Sequence, residues 1–113
     1  MCHYQTLFLE ADKGYVVHCL LCDHIQVAFG NIAITLNRKE FYSFEKSMKK
    51  LFMETAPDQI NSGIKNITVP TPSEHIVILL SYRELADMNQ MIDQAETELR
   101  SLELLGMFGS NGK

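Results

Sequence analysis

The chain has no tryptophan, three prolines and six glycines in 113 residues, and 46% of it is hydrophobic. Collagen-like and low-complexity architectures need far more glycine and proline than this, and disordered chains need fewer apolar residues, so a single packed domain is expected. A basic excess is also missing. The formal charge is −4, with six basic and six acidic side chains in residues 1–56 against four and eight in residues 57–113. Binding nucleic acid by charge requires a basic patch that displaces phosphate counterions. The only basic cluster, Lys46, Lys49 and Lys50, sits near an expected helix end, where a favourable dipole contact accounts for it. No apolar run approaches the roughly 18 to 20 residues that span a bilayer. Glu10 and Asp12 interrupt any signal-like core at the N-terminus, which makes a cytoplasmic protein with neither membrane nor nucleic-acid partner the expectation. Absent too are a phosphate-cradling glycine loop and any recognisable set of nucleophile, base and orienting group, so an enzyme is disfavoured.

Histidine and cysteine are almost missing from the last 89 residues, which contain only His75. The first 24 hold Cys2-His3 and His18-Cys19-Leu20-Leu21-Cys22-Asp23-His24. A C-x2-C pair on a tight turn lets two thiolates face a common centre. Residues three apart on a continuous strand point to opposite faces, so Cys19 and Cys22 need a turn between them. Leu20 to Asp23 contains no Gly, Pro or Asn, and a bound ion would supply the reversal that ordinary turn chemistry does not.

Register adds to this. If Ala11 to Gly14 closes a hairpin, paired positions sum to 25 or 26, which sets His3 against Cys22 or Asp23 and Cys2 against Asp23 or His24. A Zn2+ held by Cys2, Cys19, Cys22 and His24, with His3 as the competing fourth ligand, fills four positions and is therefore structural. Two other readings stand beside it. In a reducing compartment the three cysteines are expected as thiols or ligands rather than as a disulfide pair, and they can be ordinary buried thiols. They can also form a redox C-x2-C, although no helix follows Cys22 to lower a thiol pKa.

Architecture is legible in an internal repeat at a spacing of 44. Ile32-Ala-Ile-Thr-Leu36-Asn37-Arg-Lys-Glu40-Phe41 aligns with Ile76-Val-Ile-Leu-Leu80-Ser81-Tyr-Arg-Glu84-Leu85, each a strand followed at once by a helix start. Asn37 and Ser81 are N-caps with Glu40 and Glu84 three residues on, the pattern of a capping box. A strand precedes each unit: Ile25 to Phe29, ending in the Gly30-Asn31 turn, and Ile64 to Val69, ending in Pro70-Thr71-Pro72-Ser73. A hairpin of Tyr4 to Leu9 and Tyr15 to Leu20 opens the chain. The fold class is α+β, a largely antiparallel sheet of about six strands with two helices, in one domain over residues 1–107 and a loose tail over residues 108–113.

The first helix, Arg38 to Glu54, places Phe41, Phe44, Met48, Leu51 and Phe52 on a core face. The second, Tyr82 to Leu105, carries Leu85, Met88, Ile92, Ala95, Leu99 and Leu102, with Gly106 as its stop and Met107 packing back on Leu102. At roughly 36 Å it exceeds the width of a small sheet, so its C-terminal half is expected to overhang and to form a homodimer contact. Strand Ile76 to Leu80 is apolar on both faces and calls for cover on each, from the opening hairpin or a second subunit.

The stretch GYVVHCLLCDHIQVAFGNI, Gly14 to Ile32, resembles the core of a group of small bacterial proteins of unknown function. The resemblance covers about the first third of the chain and implies a bacterial cytosolic origin. It brings no catalytic residue.

Overall fold

The computed structural model describes residues 3–55 and 63–106. Strands β1 (Tyr4–Glu10), β2 (Gly14–Cys19), β3 (His24–Phe29) and β4 (Ile32–Asn37) run into helix α1 (Arg38–Glu54), and strands β5 (Ile67–Pro70) and β6 (Val77–Leu80) run into helix α2 (Tyr82–Leu104). The fold is α+β, and the strands divide into two antiparallel sheets. One is a four-stranded meander in the order β1-β2-β3-β4; the other contains β5 and β6 alone. One sheet of six does not form. The expected β5 starts three residues late, with Ile64 67% exposed.

Turn chemistry explains the meander. Gly30 has φ +62° and Asn31 has no positive φ, which fits a type II′ hairpin. Gly14 has φ +153°, and a Cβ there would lie 1.9 Å from the Ala28 carbonyl oxygen, so β2 and β3 approach too closely for any side chain.

The register of the first hairpin differs from the expected one. Tyr4 pairs with Cys19 and Thr6 with Val17, then the register shifts and Phe8 pairs with Val16 and Glu10 with Gly14. The sums are 23 and 24 because the loop is only Ala11 to Lys13, closed by Lys13 N–H donating to the Glu10 carbonyl at 3.0 Å, and because a bulge follows Thr6. His3 therefore lies beside Leu20, whose N–H donates to its carbonyl at 2.8 Å, and not beside Cys22 or Asp23.

Both capping boxes are formed. Asn37 and Ser81 side chains accept from Glu40 and Glu84 N–H, and each glutamate accepts from its cap's own N–H at 2.9 Å. Gly106, at φ +69°, ends α2 as expected, its N–H donating to the Glu103 carbonyl.

The inward faces of the meander (Val16, Ile25, Val27, Leu36), of α1 (Phe41, Phe44, Met48) and of α2 form one apolar core. Along α2, Leu85, Met88, Met91, Ile92, Ala95, Leu99 and Leu102 are all buried inside the chain. The expected overhang is not there: Leu99 is wholly buried, and exposure begins only at Leu104 and Leu105. The packing partners are α1, β1 and β2, which extend the cover well beyond the two-stranded sheet. Met107 and the tail lie outside the described residues. Among those described, no helix is long and apolar enough to cross a membrane.

Candidate functional site

The turn from Cys19 to His24 is the junction where the cysteine-rich segment meets the fold. Asp23 supplies the reversal without glycine. It is the one non-glycine residue with positive φ among the described residues, at +60°, and its N–H donates to the Cys19 carbonyl at 2.9 Å. Aspartate tolerates this left-handed conformation better than most residues. No ion is needed to turn the chain here.

Side-chain chemistry divides between the two sides of the sheet. His18 pairs across with Ile25 and points into the core, 2% exposed, and is not the half-buried residue that an ordinary strand position suggests. Its Nε2 donates to Asp23 Oδ1 at 2.6 Å. Arg38, the first residue of α1, grips the same carboxylate with Nη2 at 2.8 Å and Nε at 3.3 Å, and also pairs with Glu103 near the end of α2. Burial alone pushes the Asp23 carboxyl up, and the hydrogen bonds and charges of Arg38 and His18 outweigh it, holding the group below its ordinary value. The Tyr42 hydroxyl donates to Glu103, and the Arg100 guanidinium stacks 4.4 Å over the Tyr42 ring. Burial raises Tyr42 above its usual value. One polar chain thus ties the turn to both helices.

On the outward side, a cleft of about 110 Å³ is lined by Tyr4, Cys19, Cys22, His24, Gln26 and Thr35. Three of the expected ligands, Cys19, Cys22 and His24, line it. Cys22 N–H points at the Cys19 sulfur, 3.4 Å away. His3 is exposed and is not part of this lining, and Cys2 lies outside the described residues.

Cys19 is buried and disulfide-bonded, whereas Cys22 is exposed and keeps its thiol. Neither is an ordinary buried thiol, and the expectation that the cysteines avoid a disulfide fails at Cys19. A half-cystine sulfur cannot bind a metal as a thiolate, so the cleft becomes a ligand set only when Cys19 is reduced.

Among the described residues, the one group of three metal-type side chains with donor atoms within 4.8 Å of one another lies elsewhere: Glu45, Asp93 and Glu96. Lys49 reaches Glu45 at 3.0 Å and Asp93 at 3.4 Å, and Arg100 pairs with Glu96, so each of these carboxylates already has a protein cation beside it. The hydrogen bond to Glu45, foremost, raises Lys49 above its usual value. Lys49 is therefore spent on an interhelical ion pair rather than on a helix-end dipole contact. Sequence reasoning missed Asp23 and Arg38. The available signal was Asp23 itself, a residue that tolerates positive φ standing where the chain had to turn.

The chain belongs to a family of unknown function, DUF6686, whose model matches residues 1–107. This agrees with the resemblance seen around Gly14 to Ile32. No curated protein and no solved structure matches the chain.

Proposed function

We propose that this member of DUF6686 is a small zinc-stabilised interaction module of a reducing, cytosolic compartment, with no catalytic centre. In the reduced chain Cys19, Cys22 and His24 hold Zn2+ from the outward cleft, and Cys2 completes the set, with His3 as the competing fourth ligand. The carrying observation is the Cys22 N–H aimed at the Cys19 sulfur at 3.4 Å, in a turn that also brings His24 to the same cleft. An amide donated to sulfur favours the thiolate, the form that binds metal. Four protein ligands leave no position for an activated water, so the ion fastens the start of the chain to the β2–β3 turn. The Asp23–Arg38 contact supports that turn from the helix side.

A second reading rests on a different observation: Cys19 is in a disulfide while Cys22, three residues on, keeps its thiol. Attack of a Cys22 thiolate on the Cys19 sulfur forms a Cys19–Cys22 bond and releases the original partner as a thiolate, with no external oxidant. In that reading the protein exchanges disulfides and needs no metal.

One experiment separates them. The protein is purified under a reducing agent without added zinc and analysed for metal and thiols beside Cys22→Ser. About one zinc per chain, lost in the variant together with thermal stability, supports the zinc module. Metal-free protein whose stability is unchanged in Cys22→Ser overturns it. If the metal-free protein, reoxidised after the reducing agent is removed, then moves its disulfide in a Cys22-dependent way, the exchange reading takes its place.

A further inference from the structure

The repeat contains its own comparison. Strands β4 and β6 occupy equivalent places, each feeding directly into a capped helix. In β4 the outward positions are Ala33 and Thr35; in β6 the residues 44 further on are Val77 and Leu79, 54% and 53% exposed. β4 belongs to a sheet of four strands and β6 to a sheet of two. Bulky apolar side chains thus face outward in the unit whose sheet is too small. A two-stranded sheet is marginal in water, and an antiparallel sheet with one solvated face normally carries polar residues there.

The inner face of this small sheet, Ile67, Val69, Ile78 and Leu80, is buried in the core. Its outer face consists of Thr68, Pro70, Val77 and Leu79, without a charge. The two edges differ. On β5, Pro70 has no N–H to offer a further strand. On β6 no charge or proline interrupts Ile76 to Ser81, and among the described residues β5 is its only paired strand. Edge strands ordinarily carry such a guard against pairing with another chain.

We infer that β6 is the dimerisation edge of this protein and that its occupant is β6 of a second copy. The strands run antiparallel about a two-fold axis at Ile78, which sets Val77 of each copy against Leu79 of the other on the outer face and joins the hairpins into one four-stranded sheet. Charge selects this arrangement over a parallel one. Glu74 precedes the strand and Arg83 follows it, so the antiparallel pairing brings opposite charges together at both ends, whereas a parallel pairing sets like against like. The pairing consumes the free edge in each copy and closes at two chains. It does not depend on the zinc reading, and it leaves the buried seam of α2 out of the interface.

The test is sedimentation equilibrium of the full chain, beside three variants. Val77→Ala/Leu79→Thr gives β6 the outward residues that β4 already carries, at positions exposed in the chain; Leu79→Lys places a charge on the face; Leu104→Lys alters a residue that is 88% exposed at the end of α2. The expected result is twice 12.9 kDa for the wild type and for Leu104→Lys, and a folded monomer by circular dichroism for the two β6 variants. A wild type that is monomeric at the highest concentration at which it stays dissolved overturns the inference. So does a dimer that survives both β6 variants, or one that Leu104→Lys dissolves.

Discussion

At the residue scale, two positions fix the N-terminal sheet, and they differ in how readable they are. Gly14 is recognisable as a turn residue from its neighbours, yet its strict requirement comes from the Ala28 carbonyl on the adjacent strand β3, a contact that no local pattern announces. Gly14→Ala is expected to destabilise the protein by about 3 kcal/mol, because backbone must move on both strands. Urea unfolding followed by circular dichroism checks this, and a change within about 0.5 kcal/mol, the range of an ordinary surface substitution, contradicts it. Asp23 was harder to read. An aspartate after C-x2-C is unremarkable by composition, and only its left-handed backbone and the Arg38 clasp show how this residue serves the turn.

At the element scale, the helices were the most legible part, since an N-cap and a glutamate three residues later act through local hydrogen bonds that depend on nothing distant. Both boxes form as expected. The strands were legible as strands and less so in register, because the bulge after Thr6 shifts the pairing by one residue without any glycine to announce it. The α2 box also carries a pH dependence. Lys65, first, and then the Ser81 N–H hold the Glu84 carboxyl below its ordinary value of 4.5. A group whose folded pKa is depressed contributes stability that is complete above the unfolded value and lost as pH falls through the folded one. Acidification from neutral pH towards about 3 is therefore expected to erode wild-type stability more steeply than that of Glu84→Gln. Parallel curves of stability against pH for the two proteins contradict this origin.

At the scale of the whole molecule, the α+β class follows from counting elements, but their division into sheets of four and two does not. Which strand finds which neighbour is decided by what the helices cover, and α2 covers more than its apolar stripe alone suggests. Leu99 illustrates this. The stripe marks it as apolar without saying whether a second chain or the chain's own sheet buries it, and the structure gives it to the chain's own core at 0% exposure. Leu99→Ala is accordingly expected to cost about 3 kcal/mol of folding stability at every protein concentration. Thermal melts over a range of concentrations check this, since a loss confined to concentrated samples places Leu99 at an interface instead.

The meander is built from hairpins whose turns are only a few residues long, so its contacts join parts of the chain that are close in sequence. Such contacts form early, because little chain entropy is lost in closing them. The sulfur chemistry of this protein is therefore set up within its first 37 residues, ahead of the slower docking of α2. Under the proposed zinc reading, whether those cysteines meet the ion or one another first is a contest of rates during folding, decided while the core beneath the β2–β3 turn is still being assembled.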